Sequence, residues 1–421
     1  MHNRSLIRRG KYVNREVLVV GIDIGKYTHA AVGTSLENGF TKPYYIKNKR
    51  KSYEDFESIM KDWRERFNCK YIVIGFESTG HYWKPIGYYL KDRGYILCEV
   101  SPSNTKKSKE MMDNSPLKSD PKDARVIADL VKQGKVLTPV FPEGKILSLR
   151  EIVHTRENII KERTSILNRL EKIIDVTFPE RKQIIKKVGN KTSLFLLKRT
   201  PFPEDIQKKS LRWLSKHMCK ESRGRYNGLK AQRLYNLAKE TIGLKQNMKG
   251  FLYELNTLLV RLKEINKKIN EVESVTEKYL EDIEESRYLL SIKGVGPNIA
   301  AAVISESGGL NKYNRAESVI KIAGLNLYER SSGKSKGEKH ITKRGRKLMR
   351  QKLYFAALQQ THPGMPFYSY YRRLVEENGV EKTKAIIATA RKLLRIMFAL
   401  VRDKSEYDGK HKEIELKKEA A

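Results

Sequence analysis

Apolar and polar positions along the chain change their rhythm twice. Over the first third, short apolar runs are punctuated by Gly, Asn and Lys: "EVLVVGIDIG", "HAAVGTS" and "KPYYIKN" read as three strands. After them come a helix over about 53–67, a strand "YIVIGFE", a helix from Trp83 to Asp92, a strand "YILCEV" and a helix beginning near Asp120. Three strands followed by alternating helices and strands predict a mixed sheet covered by helices, hence an α/β domain. From about 148 the period lengthens: "LREIVHTRENIIKERTSILNRLEKII" and "LYELNTLLVRLKEINKKINEVESVTEKYLEDI" repeat Leu, Ile and Val every three or four residues, predicting a helical, coiled-coil-like stalk. Between these runs lies a Pro-interrupted, Lys/Arg-rich stretch of shorter helices. From 288 the chain is again mainly helical, and "KTKAIIATARKLLRIMFALV" predicts its closing helix. The expected division is 1–147, an α/β domain; 148–287, the helical linker region; 288–403, a mainly helical C-terminal domain; and 404–421, a disordered tail.

Charge narrows the partner. The 421 residues carry 85 Lys and Arg against 49 Asp and Glu, a formal net charge of +36, which points to a polyanion. No apolar stretch approaches the roughly 20 residues of a spanning helix, and the basic start lacks an apolar secretory core, so no membrane is expected and the predicted location is the cytoplasm, at the nucleoid. Cys69, Cys98 and Cys219 are too scattered for a disulfide framework, and the eight histidines have neither an HExxH nor a CxxC pattern beside them, which argues against zinc.

Within that basic chain the acids stand out. Asp23 ends the first strand and Glu77 the fourth, so parallel neighbours would bring both to one sheet edge. Asp120 and Asp123, three residues apart at a helix start, share a helix face. Singly, each has an ordinary explanation, Asp120 as an N-cap before Pro121 and Asp123 as a first-turn acid. Together, four carboxylates repel one another unless a cation lies between them, and hard oxygen donors suit Mg²⁺, with Mn²⁺ as the alternative ion. An Asp-x-Gly phosphate turn of the sugar-kinase kind would need further phosphate and adenosine loops, which the sequence lacks.

Two further stretches fit nucleic acid. "SIKGVGPNIAAAVISESG" places Gly294 and Gly296 before Pro297 and a small-residue helix, a helix-hairpin-helix-like arrangement whose amides suit a backbone phosphate. From Arg330 to Arg350, nine Lys or Arg residues accompany a single acid, Glu338; Lys334, Lys336, Lys343, Arg344 and Arg346 lie in this tract around Ser331 and Ser332. Such a loop could present a serine hydroxyl to a phosphodiester or only clamp the backbone. Tyr82, Trp83, Tyr368, Tyr370 and Tyr371, the last three beside Arg372 and Arg373, suit stacking on bases as well as core packing.

The order "GIDIGKYTH", "GFESTGHYW", "KSDPKDARVIA", "SIKGVGPNIAAAVISE", "VIKIAGLNLYERSSG" and "HITKRGRKLMRQKLY" resembles the transposases of the IS110/IS1111 insertion-sequence group, at both ends of the chain. Arg346 departs from the small polar residue usual after Lys-Arg-Gly, and the middle region is long for the group. The resemblance implies a ribonuclease-H-like (RuvC-like) first domain whose Asp23, Glu77, Asp120 and Asp123 bind Mg²⁺. It also implies a C-terminal transposase domain in which Ser332, or failing it Ser331, attacks DNA to form a phosphoserine link. Further implied are a homodimer or homotetramer and a structured guide RNA that pairs with donor and target DNA. A Mg²⁺-dependent Holliday-junction nuclease, needing the acids but no serine, is the competing expectation.

Overall fold

A computed structural model describes residues 15–78, 80–113, 120–137, 139–329 and 339–408. The chain divides into two compact units, 1–141 and 142–421.

The first unit is a five-stranded mixed sheet with helices: β1 (Val17–Asp23), β2 (Thr28–Thr34), β3 (Tyr44–Lys47), α1 (Arg50–Arg66), β4 (Tyr71–Phe76), α2 (Trp83–Asp92), β5 (Ile96–Glu99), α3 (Pro102–Asp113) and α4 (Asp120–Lys132). The strand order is β3-β2-β1-β4-β5, antiparallel through the first three and parallel from β1 to β4 to β5. Alternation along the strands sorts their side chains into two cores. Leu18, Val20, Ile22, Ile72, Ile74 and Phe76 pack with Phe56 and Met60 of α1 and Ile86 and Leu90 of α2. Val17, Val19 and Val73 face the opposite way, onto Val126, Ile127, Leu130 and Val131 of α4. The sequence pattern had not singled out α3, whose "PSNTKKSKEMMD" carries little apolar periodicity.

The second unit is mainly helical: α5 (Gly144–Thr177), α6 (Lys191–Arg199), α7 (Pro203–Gln207), α8 (Leu211–Ser222), α9 (Gly228–Glu240), α10 (Met248–Glu281), α11 (Glu284–Leu290), α12 (Pro297–Ser307), α13 (Ala316–Ala323), the hairpin β6 (Leu327–Glu329) and β7 (Lys339–Ile341), α14 (Lys347–Gln359), α15 (Tyr368–Arg372) and α16 (Lys382–Asp403). The two 34-residue helices α5 and α10 pair through Ile166, Leu170, Ile173, Leu255, Leu258, Leu262 and Ile265. At one end of this pair, Leu149, Val153 and Leu280 join the core of α11–α14 and α16. At the other, the segment from Phe178 to Ala238 folds into a small bundle with its own core of Phe178, Ile184, Ile206, Leu214, Met218 and Leu234.

Candidate functional site

Register builds the acidic site. Ile22 of β1 lies level with Phe76 of β4, so the next residues, Asp23 and Glu77, come level at the end of two parallel strands. By alternation they turn to the α4 face, away from Ile22 and Phe76. A helix can reach them because two residues earlier on each strand the side chain is missing. A Cβ at Gly21 would stand 2.1 Å from the Ala124 carbonyl oxygen and 2.6 Å from the Ala128 nitrogen, and one at Gly75 would stand 2.3 Å from a methyl of Val131. Helix α4 therefore rests on strand backbone, and its first turn delivers Asp120 and Asp123 toward the strand ends.

Asp23 feels the charges of the other three carboxylates. Burial, followed by the charges of Asp123 and Asp120 and, more weakly, Glu77, pushes the Asp23 carboxyl up to about 6, against the opposing pull of the Lys109 ammonium. Asp123 is 3 % exposed; its Oδ2 receives the Lys109 Nζ at 2.5 Å, while its Oδ1 is buried and has no hydrogen-bond partner. A buried carboxylate oxygen without a donor is costly unless a cation meets it. Among the described residues no three His, Cys, Asp or Glu side chains stand close enough to chelate an ion in this arrangement. The donor chemistry and the orphaned oxygen suit a hard divalent ion, and closing the site around one requires side-chain rotation and withdrawal of Lys109.

Second-layer contacts hold the strand ends. Asn48 donates from Nδ2 to the Lys26 carbonyl at 2.9 Å, while its Oδ1 accepts from the Tyr53 hydroxyl at 2.6 Å and lies 2.8 Å from Nε2 of buried His29. Burial lowers the His29 pKa, so its ring is neutral and Nε2–H donates. This ties down the turn that follows Asp23. Ser78, next to Glu77, donates its hydroxyl to Glu99 at the end of β5. Lys109, Glu99 and the Gly21/Gly75 pair were not singled out in the sequence, although each glycine standing two residues before an acid was a readable signal.

In the second unit, Gly294 adopts a left-handed φ of +92°, and a Cβ there would stand 2.6 Å from Nε2 of buried Gln360, which donates to the Lys293 carbonyl at 2.9 Å. Gly296 caps α12 and Pro297 opens it. The same helix end is tied to the long pair, since Asn298 and Arg156 both donate to Glu273. The tract containing Lys343, Arg344 and Arg346 is stitched to the end of α13: the Lys343 amide donates to the Gly324 carbonyl at 3.0 Å and the Arg346 amide to Ile322 at 2.7 Å. Lys343 and Arg344 are exposed. Arg346 helps to hold down Glu306: burial works to raise that acid, but a hydrogen bond with His154 and the charges of Arg150, His154 and Arg346 keep it below its ordinary value. Ser331, Ser332, Lys334 and Lys336 lie outside the described residues, between β6 and β7, whose pairing runs from Leu327–Ile341 to Glu329–Lys339. Of the aromatic candidates, Trp83 is buried and stacks on Phe76 with ring centroids 5.5 Å apart, a core role, whereas Tyr370 lies under Lys392 and Arg373. No helix among the described residues is long and apolar enough to cross a membrane.

Comparison with known proteins follows the same two regions. A family model described as "Transposase" matches residues 20–179, and one described as "Transposase IS116/IS110/IS902 family" matches residues 286–372. The "Insertion element IS116 uncharacterized 44.8 kDa protein" of Streptomyces clavuligerus is 26 % identical over 397 residues, covering 91 % of this chain and 94 % of its own. The "Transposase for insertion sequence element IS1111A" of Coxiella burnetii is 21 % identical over 419 residues, covering 96 % and 95 %. Among solved structures, "T. thermophilus RuvC in complex with Holliday junction substrate" aligns at 14 % identity with a TM-score of 0.22, covering 28 % of this chain and 98 % of that one, a likeness on which nothing below depends.

Proposed function

Because the chain belongs to the IS110 family of insertion-sequence transposases, we propose that it exchanges DNA strands in a divalent-metal-dependent reaction. In this reading Asp23, Glu77, Asp120 and Asp123 hold Mg²⁺ or Mn²⁺, and Ser332, with Ser331 as the fallback, is the nucleophile. The observation that supports it is the influence of Asp123, Asp120 and Glu77 on the Asp23 carboxyl at one end of the sheet, with Asp123 presenting a buried, unpartnered oxygen. The order β3-β2-β1-β4-β5, with its antiparallel and parallel halves, supports the ribonuclease-H-like reading of the first unit.

Bound metal would supply positive charge beside the attacking and leaving oxygens of the phosphodiester. The protein's own groups do the rest. The serine Oγ forms a bond to phosphorus as the bond to the departing strand's oxygen breaks; that oxygen takes up a proton and the serine gives one up. A hydroxyl from a second strand then displaces the serine, so no phosphodiester is lost to water. Exposed Lys343 and Arg344 would hold the phosphates and offset the charge that develops on them. Target choice would lie with a structured guide RNA, and the working form would be a homodimer or homotetramer.

The test is a denaturing gel of full-length protein with labelled branched DNA and Mg²⁺. A protease-sensitive protein–DNA adduct is expected, lost to background in Ser332→Ala and in Asp123→Ala. Cleavage that survives Ser332→Ala without any adduct, while Asp123→Ala is inactive, would establish the hydrolytic alternative instead.

A further inference from the structure

The segment from Phe178 to Asn247 has no part in either site described above. It contains eighteen Lys or Arg against five Asp or Glu, a net +13. Its core is built on the apolar Phe178, Ile184, Leu196, Ile206, Leu214, Met218 and Leu234, and of the cations only Arg181 is buried, donating to Ser193. Sixteen of the cations are exposed, whereas only Glu204 and Glu240 are exposed among the acids. Like charges at this density repel one another, and folding alone gives no reason for them; a polyanion does.

The charges are also ordered. On α8, Arg212, Lys216 and Lys220 recur every fourth residue, opposite buried Leu214 and Met218, so they form one exposed stripe, and Arg223 continues it at the helix end. Four residues of helix advance about 6 Å, so the stripe spans about 16 Å. Arg223 has a left-handed φ of 55°, followed by Gly224 and exposed Arg225 in the tight turn to α9. Aromatic rings lie among the cations, with Lys209 over Trp213 and Lys230 over Tyr226.

Position supplies the last premise. The bundle closes the far end of the α5/α10 pair, whose other end enters the C-terminal core. A 34-residue helix is about 50 Å long, the length of about 15 base pairs. A stiff duplex can span that distance without folding back, because its persistence length is about 150 base pairs. Duplex DNA, the substrate of the transposase reading, is the occupant taken here, and a structured RNA is the alternative that the test separates from it.

We infer that the Phe178–Asn247 bundle is a second DNA-binding surface, which grips the phosphate backbone of duplex DNA about 50 Å from the C-terminal core, with Arg212, Lys216, Lys220 and Arg223 as its contact stripe. The inference rests on the transposase reading only in taking DNA as the substrate. Such contacts are independent of sequence and sensitive to salt.

The test uses full-length protein and a fluorescent duplex of about 45 base pairs, of arbitrary sequence, titrated at several salt concentrations. In Arg212→Gln/Lys216→Gln/Lys220→Gln/Arg223→Gln, affinity is expected to fall at least about 30-fold near 0.1 M salt, and the slope of log affinity against log salt to shrink by about three. The charge-preserving set Arg212→Lys/Lys216→Arg/Lys220→Arg/Arg223→Lys should keep the wild-type slope, and both variants should melt as the wild type does. A wild-type protein that binds the duplex with a slope unchanged by the Gln set overturns this inference alone. A loss confined to a structured RNA of similar length overturns it too, and assigns the bundle to RNA. Failure of the wild type to bind the duplex at all overturns this inference and leaves the transposase reading to the adduct gel described above.

Discussion

The acidic end of the sheet and the basic bundle are both crowds of one charge, held in opposite ways. At the sheet, Asp23 and above all Asp123 are drawn out of water, beside a helix that rests on bare backbone. In the bundle, sixteen of the eighteen cations stand in solvent around an apolar core. Coulomb energy scales inversely with the effective dielectric, so crowding is expensive in the first place and screened in the second. Accurate backbone placement is therefore a requirement of the acidic site, and sheer number and spacing of charges a requirement of the basic one.

The largest effect should come from breaking the close approach. Gly21→Val would drive a side chain into the Ala124 carbonyl, which a Cβ alone already meets at 2.1 Å. We expect destabilisation of the first unit by about 3 kcal/mol or more, seen as early protease cleavage within residues 15–141, with loss of DNA strand exchange. Next comes Lys109→Met. With the ammonium gone from Asp123, Mg²⁺ measured calorimetrically without DNA should bind about tenfold tighter, while the metal-free protein loses about 2 kcal/mol because a buried carboxylate has lost its partner. Affinity that falls instead would mean that Lys109 orients Asp123 and does not compete for it.

The smallest effect sharpens the contrast directly. The Asp23 carboxyl is raised from 3.8 to about 6, so the folded state resists its ionisation. Its penalty is absent below the unfolded value near 3.8, grows between there and about 6, and is complete above that. Asp23→Asn should accordingly stabilise the metal-free protein above pH 6 by about 1 kcal/mol, after allowance for its partial exposure, and bring no gain near pH 4. The counterpart Lys216→Gln in the bundle should change stability by less than about 0.5 kcal/mol at any pH. Equal gains in the two would erase the distinction drawn between them.

Much of this was legible in the sequence because it follows from short periods. The alternation of "VLVVGID" and "YIVIGF" fixes which face Asp23 and Glu77 share, and three-residue spacing puts Asp120 beside Asp123 on α4. Helix α3 was not legible, since its exposed polar face gives no apolar stripe, and Lys109 went unnoticed with it. Nor could spacing reveal that Gly294 exists to admit Gln360, sixty-six residues away in sequence, or that His154 and Arg150 of α5 hold Glu306 of α12. Those pairings depend on which helices meet, and no local pattern encodes that.

The separate cores of the long helix pair and of its terminal bundle carry an evolutionary corollary. Because α5 and α10 zip together on their own leucines and isoleucines, the tip between Thr177 and Met248 can be lengthened, shortened or exchanged in a descendant without disturbing the fold at the opposite end. The charged surface of the tip can thus diversify while the acidic end of the sheet stays under separate selection.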